Sequence, residues 1–239
     1  EFFLPLSRGS ALDRIDYNKG AKMSLTKELV GWHKEQRCQK AVEALGRNGF
    51  SAAYCSNADE AHDYIIRHSA DATNVGFGGS RTIVDLGVQE IFEKQGKEIL
   101  NHGMPGLEPD RKMEIMRRQL TCDLFLTSSN AVTLSGWLIN IDGNGNRVAA
   151  LTFGPRRVIV VAGRNKLVDG DLFEAIYRVK NIAAPPNAKR LNCNTPCAKT
   201  GFCANCSSPE RICRITHIMD RKPRLADIHV LIVNEDMGL

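Results

Sequence analysis

The sequence predicts an α/β fold, a mostly parallel sheet flanked by helices, with a hairpin insertion and a Cys-rich C-terminal segment. Three observations lead there. Strand-like and helix-like patterns alternate through the first half of the chain and return near its end. Val158-Ile-Val-Val-Ala-Gly163 is an uninterrupted apolar run, as expected of a central strand covered on both faces. Two apolar stretches flank Asp142-Gly-Asn-Gly-Asn146, a strong turn signal that predicts an antiparallel hairpin.

Element by element, Leu25, Leu29, Trp32, Ala41, Val42 and Leu45 recur near the helical period, and Gly49 follows as a stop, so Ser24 to about Asn48 reads as a helix. Ser51–Cys55 and Asn74–Phe77 are short strands, with a helix over Asp59–His68 between them. Gly78-Gly79-Ser80 opens a helix running to about Leu86. Lys97–Leu100 is a strand candidate, Glu108–Leu120 a helix and Asp123–Ser128 a buried strand. The hairpin strands come next, then Val158–Gly163, a helix over Leu172–Ile182, and a last strand at Ile228–Val233. The Pro185-Pro186 pair marks a boundary before the cysteine segment.

The bulk numbers fit this reading. A chain of 239 residues with 43% hydrophobic and 25% charged residues can bury a core without disulfide staples. No apolar run nears the ~20 residues that span a bilayer. Residues 1–22 lack the features of a secretory signal and read as a leader or irregular extension before one domain over 23–239. With crowded thiols and no export signal, the expected compartment is the cytoplasm. The net charge of +5 includes a local excess at Arg211, Arg214, Arg221, Lys222 and Arg224. No nucleic-acid-reading motif accompanies it, so a solvated basic face or a counter-charge to thiolates is expected instead.

The densest chemical signal lies within residues 190–215. Cys193, Cys197, Cys203, Cys206 and Cys213 follow a C-x3-C-x5-C-x2-C-x6-C spacing, with Pro196, Gly201 and Pro209 turning the chain between them. Short spacings on a turning backbone let thiolates converge. A [4Fe–4S] cluster or a zinc ion is therefore expected, with a disulfide-held loop as the alternative. Five cysteines leave one spare, and spacing does not say which. Cys38, Cys55 and Cys122 read as isolated core or helix cysteines.

Other constellations sit at the carboxyl ends of candidate strands, where open α/β sheets bind ligands. Gly78, Gly79, Ser80 and Thr82 form a glycine-rich turn suited to an anion, though a plain strand-to-helix turn would use the same glycines. Ser128, Ser129 and Asn130 can orient a polar ligand or satisfy loop backbone. Asp142 and Arg147 frame the glycine turn. The turn alone explains its glycines, but Asp142 can serve as a base and Arg147 as a bidentate carboxylate clamp. Asn165 and Lys166, just after the apolar strand, add an amide and a cation, and Asn146 in the glycine turn is a further ligand-binding candidate. Of six histidines only His102, at a strand end, is kept as a catalytic candidate.

Gly76-Phe-Gly-Gly-Ser80, Asn140-Ile-Asp-Gly-Asn-Gly-Asn-Arg147, Phe153-Gly-Pro155, Val160-Val-Ala-Gly-Arg-Asn-Lys166 and Ser208-Pro-Glu-Arg-Ile-Cys-Arg214 together resemble the lactate-utilization (LUD) domain family, in order over roughly 25–239. The resemblance implies a Rossmann-like sheet similar to the sugar-phosphate isomerase and coenzyme A transferase superfamily. It implies a ligand lying across glycine-rich loops at Gly78–Ser80, and across Ser128–Asn130 and Asp142–Arg147. It further implies work in the oxidation of lactate to pyruvate, alongside iron–sulfur partner proteins. The chain departs from the family's longer members in lacking an appended ferredoxin-like domain with paired cluster motifs. It departs from the shortest in carrying the Cys-rich tail, so its substrate need not be lactate.

The expectation is thus an oxidoreductase component of organic-acid metabolism. It binds a small anionic substrate at the glycine-rich loops and an iron–sulfur cluster at the C-terminal cysteines, and passes electrons to a partner protein. Homo-oligomerisation is left open. The alternatives are a non-redox isomerase or acyl transferase on phosphorylated or coenzyme A-linked substrates, and a non-catalytic subunit with structural zinc.

Overall fold

The computed structural model describes residues 19–239. The expected leader over 1–22 lies outside them, except for Lys19–Lys22, whose backbone is already helical. The elements are α1 (Lys19–Arg47), β1 (Ser51–Cys55), α2 (Ala58–Arg67), β2 (Asn74–Phe77), α3 (Arg81–Asp85), α4 (Val88–Lys94), β3 (Glu98–Asn101), α5 (Pro109–Arg118), β4 (Leu124–Thr127), β5 (Ala131–Thr133), β6 (Leu138–Asp142), α6 (Asn146–Thr152), β7 (Arg157–Gly163), β8 (Leu167–Val168), α7 (Leu172–Arg178), α8 (Ala184–Arg190), α9 (Pro196–Thr200), β9 (Ile215–Met219) and β10 (Ile228–Val233). Residues 34–239 form one compact unit, and the preceding unit ends at His33.

Six strands form a wholly parallel sheet in the order β1-β10-β7-β4-β2-β3. Its centre is apolar on both faces because β7 and β10 carry almost unbroken runs of Val, Ile, Leu and Ala. Alternate residues serve opposite cores. Val158, Val160 and Ala162 pack with Cys38, Ala41 and Leu45 of α1, Ile115 of α5 and Leu151 of α6. Ile159 and Val161 pack with Ile65 of α2, Ile83 of α3 and Phe92 of α4. At ~25 cal/mol per Å² of apolar surface, these two layers supply the main stabilisation. Cys38, Cys55 and Cys122 are core residues, as the sequence suggests, and burial raises each thiol pKa to about 11.

A second sheet, in the order β8-β5-β6-β9, stands at the carboxyl edge of the first. Here the sequence reading needs correction. The antiparallel hairpin joins β5 to β6 across Leu134–Trp137, not β6 to a strand after Asp142. Residues 146–152 are helical instead. Asp142 Oδ1 accepts the N–H groups of Asn144 and Gly145, and Gly145 takes a left-handed φ of 91°. That side-chain turn folds the backbone into α6, whose Val148, Ala150 and Leu151 are buried. The free edge of β6 pairs with β9, a strand the sequence reading missed. Pro185 and Pro186 do not mark a boundary. They lie in α8, which continues α7 through a π-helical turn at Val179–Ala183, a geometry that accommodates carbonyls left without proline donors.

Candidate functional site: a cationic cleft beside a four-thiol cavity

Both sheets deliver loops to one place. β2 ends at Gly78–Ser80, β4 runs through Ser128–Asn130 into β5, β7 runs through Lys166 into β8, and β6 ends at Asp142. The Arg214 N–H to Asp142 carbonyl bond, 3.0 Å, brings in the segment that carries Cys213. Together they enclose a cleft of about 680 Å³. Gly78, Gly79, Ser80, Thr82, His102, Ser128, Asn130, Asp142, Asn146, Arg147 and Lys166 all line it. Ser129 does not. Its buried hydroxyl donates to the carbonyls of Ala131 (2.7 Å) and Ile139 (3.2 Å), which makes it part of the β5–β6 corner. Seven lining residues are lysine or arginine against two acids, Asp142 and Glu210. The cleft therefore favours an anion.

The glycine turn contributes shape more than dipole. A Cβ on Gly78 would lie 2.9 Å from Thr127 Oγ1 and 3.0 Å from Phe125, so close packing of β4 excludes a side chain there. Gly79 has φ 71°, which favours glycine. The helix that follows is a five-residue turn, and Ser80 makes no side-chain cap bond to it.

Lys166 is the most unusual group in the cleft. It is 4% exposed, and its Nζ donates to Thr82 Oγ1 and Ser128 Oγ, both at 2.8 Å. Among the described residues no carboxylate pairs with it. Burial first, then the charges of Arg178 and Arg147, pull its pKa down to about 7. At neutral pH a large fraction is thus the free amine.

Arg147 is committed within the protein. Its Nε faces Asp142 Oδ2 at 3.3 Å. Nη1 donates to the Ser128 carbonyl and Asn140 Oδ1, and Nη2 to Asn130 Oδ1 and the Ile141 carbonyl. With five donors engaged, no pair remains for the bidentate carboxylate grip expected from the sequence. Asp142 is likewise held by Arg147 and the turn amides. Both residues build the wall. Asn146, by contrast, makes no side-chain hydrogen bond among the described residues and faces the cleft.

His102 is oriented by Gln119, whose amide nitrogen donates to the Phe77 and Leu100 carbonyls and stands 3.1 Å from His102 Nδ1. Those carbonyls require the amide N–H₂ on this side, so Nδ1 accepts and Nε2 carries the proton. Burial lowers the His102 pKa, which keeps the ring neutral. A Cβ on Gly79 would be 3.6 Å from Nε2, so the N–H donor sits beside the glycine turn. Sequence reasoning missed Arg81, Lys112 and Arg190 on the cleft wall. Arg81 adjoins the glycine turn in the chain, but nothing in the sequence pointed to Lys112 or Arg190.

The clustered cysteines divide four to one. Cys197, Cys203, Cys206 and Cys213 line one small cavity, and Cys193 does not. All are half-buried free thiols. Arg211 stitches their loop by donating to the carbonyls of Cys213 (2.7 Å) and Cys206 (2.5 Å) and to Asn205 Oδ1 (3.2 Å). Glu210 accepts the Asn194 N–H at 2.7 Å, and Ser208 donates to the Asn194 carbonyl at 2.9 Å. Burial and the neighbouring Cys203 raise the Cys213 pKa. Four unpaired thiols around one cavity, with Lys180 and Arg211 in its wall, are a donor set suited to a thiolate-ligated centre. Among the described residues no three His, Cys, Asp or Glu side chains are gathered around a single ion's position. Arg211, Ile212 and Cys213 line both the cavity and the cleft.

The sequence profile of the family described as LUD domain matches residues 38–233. The chain belongs to the LUD domain family. Its LUD domain is similar in structure to a DUF162 family protein from Deinococcus radiodurans, solved at 1.70 Å. The two share 16% identity, with 84% of this chain and 98% of that chain covered, at a TM-score of 0.49. No match is found among curated proteins. Among the described residues, no helix of the LUD domain is long and apolar enough to cross a membrane.

Proposed function

We propose that this LUD-domain protein is a redox component of organic-acid metabolism. A small carboxylate-bearing or phosphate-bearing anion binds in the cleft over Gly78–Ser80, beside an iron–sulfur cluster held by Cys197, Cys203, Cys206 and Cys213. The observation that carries this reading is the shared wall: Arg211, Ile212 and Cys213 face the anion cleft on one side and the thiol cavity on the other. A metal serving folding alone has no need to adjoin a ligand cleft.

In this reading the cluster, once bound, supplies one-electron transfer to or from a partner protein. The chain's own residues do the rest. The cationic wall attracts the anion, and Asn146 and the His102 Nε2–H supply free donors for its oxygens. Lys166 holds or releases a proton near neutrality, with Thr82 and Ser128 fixing its Nζ. The space between the thiols is about 20 Å³, close to that of one water, so a polynuclear centre requires the 200–213 loop to open. Exposed Gly201, Phe202 and Ala204 leave that loop free to do so.

Anaerobic purification with iron, sulfide and zinc analysis tests the proposal. The expected protein is brown, bleaches with dithionite and holds about four irons per chain, the number in a [4Fe–4S] centre. Replacing Cys203 and Cys206 with Ser abolishes the iron, while Cys193→Ser retains it. A colourless protein with stoichiometric zinc would favour the isomerase, transferase or assembly reading. Unchanged iron in the double variant would remove the cluster from this cavity.

A further inference from the structure

Lys166 has a geometry that anion binding alone does not require. An ammonium meant to hold an anion points its donors at the ligand. Here two N–H bonds are directed at Thr82 and Ser128. Each hydroxyl hydrogen has its own acceptor, Thr82 to the Met237 carbonyl at 3.4 Å and Ser128 to the Ser129 carbonyl at 3.2 Å. Both hydroxyl oxygens therefore receive from Nζ. A free amine held by its two hydrogens keeps its lone pair as the remaining direction, and this side chain lines the cleft.

The charges acting on Nζ come from three elements. Arg147 of α6 and Arg178 of α7 oppose its protonation, and Asp85 of α3 favours it. Asp85 is already paired with Arg81 at 2.6 Å. Arg178 donates to the Asn165 and Asn130 carbonyls and lacks a carboxylate partner among the described residues. From the C-terminal segment, the Met237 carbonyl accepts from Thr82, Gly238 lies close to Nζ, and Leu239 lines the cleft.

We propose that Lys166 is a catalytic amine that condenses with the carbonyl of an anionic oxo compound in the cleft to form an imine. The inference rests on the anion-cleft reading above and names the substrate class, an oxo acid or aldehyde carrying negative charge. The Nζ lone pair attacks the carbonyl carbon and a C–N bond forms. The carbonyl oxygen takes a proton to give the carbinolamine. That hydroxyl then leaves as water with a second proton, and the nitrogen loses its remaining protons to leave C=N. No electrons are exchanged, and water reverses the step. His102 Nε2–H, facing the same cleft, can hydrogen-bond the departing oxygen, whose protons come from solvent.

The test uses the full chain, with glyoxylate as the probe and cyanoborohydride as the trap, followed by peptide mapping. At pH 7 a surface lysine is a free amine less than about 0.1% of the time, whereas the pKa of Lys166, lowered to about 7, leaves roughly half of it unprotonated. The expected result is one dominant adduct on Lys166, formed at least about tenfold faster than on any other lysine. Its rate should level off above pH 8, and the adduct should be absent in Lys166→Arg. The readout on the unaltered protein does not depend on how the variant folds. Oxalate, an anion that cannot condense, separates the two levels of the argument. If oxalate binds by calorimetry but Lys166 gains no preferential adduct, the imine inference is overturned and the cleft reading stands. If neither oxalate nor glyoxylate binds and no adduct forms, both are overturned.

Discussion

At the amino end of the six-stranded sheet charges come in matched sets, whereas at the carboxyl end cations outnumber their partners. Arg157, at the start of β7, pairs with Asp227 at 2.8 Å and Asp71 at 3.2 Å, and these partners raise its pKa. Asp123, just before β4, accepts from the Thr73 hydroxyl and N–H, and its pKa is lowered to about 2. His229 joins Asp227 to Tyr64 at 3.0 and 2.7 Å. The charges of this set are paired with one another, and the set ties strand starts together. At the opposite end, among the described residues, Lys166 is buried without a carboxylate and Arg178 meets only carbonyls. Balanced polar groups stabilise a fold, and unbalanced ones destabilise it unless a ligand completes them. The contrast separates paired from unpaired polarity within one sheet.

Four substitutions sharpen or break that contrast. Arg147 is the carboxyl-end residue that behaves like an amino-end one, fully bonded and paired with Asp142. Arg147→Ala should cost about 3–5 kcal/mol in urea unfolding, because it strands a buried carboxylate and four acceptors. A neutral result would return Arg147 to the ligand. Lys166→Met should have the opposite sign. Lys166 has a depressed folded pKa, near 7, against an ordinary ~10.4, so the unfolded chain binds more protons between these values and wild-type stability rises with pH across that window. Below about pH 7 the full penalty applies, on the order of 4 kcal/mol. The variant should melt higher than wild type at pH 6, with the advantage shrinking toward pH 10. A variant less stable at pH 6 would show that Lys166 is a structural cation.

At the other end, Asp123→Ala should cost about 2 kcal/mol at pH 7 and leave anion affinity in the cleft unchanged. Because its folded pKa is depressed, Asp123 contributes fully above the ordinary carboxylate value and loses that contribution as pH falls through about 2. The cost of the substitution should therefore vanish in acid titrations near that pH. Asn146→Ala should be the smallest effect, about 1 kcal/mol of anion affinity by calorimetry with no change in melting temperature. A stability loss without an affinity loss would move Asn146 from the ligand to the α6 start.

Much of the parallel sheet was legible because periodicity and apolar runs are local. Val158–Gly163 and Ile228–Val233 read as buried strands and are the sheet's centre. Strand ends also named most of the cleft, since loops at the carboxyl edge of such a sheet converge. The misses were non-local. Asp142-Gly-Asn-Gly-Asn146 carries hairpin residues, yet the Asp142 side chain and Gly145 turn the backbone into a helix, and β6 finds its partners far along the chain in β9, where Asp142 faces Ile215, and close by in β5. Ser129 and Asn130 are adjacent polar residues with different fates, one closing a corner and one lining the cleft.

The chain by itself determined the six strands of the parallel sheet, most of its helices, the family, and a run of closely spaced cysteines, because all of these are written in neighbouring residues. Only the folded arrangement decided that Cys193 stands outside the four-thiol cavity, that Arg147 is spent on neighbouring side chains and carbonyls, and that Lys166 is a buried amine held by two hydroxyls. Those outcomes depend on burial and on contacts between residues tens of positions apart, which set a side chain's charge state and free donors and which no local pattern encodes.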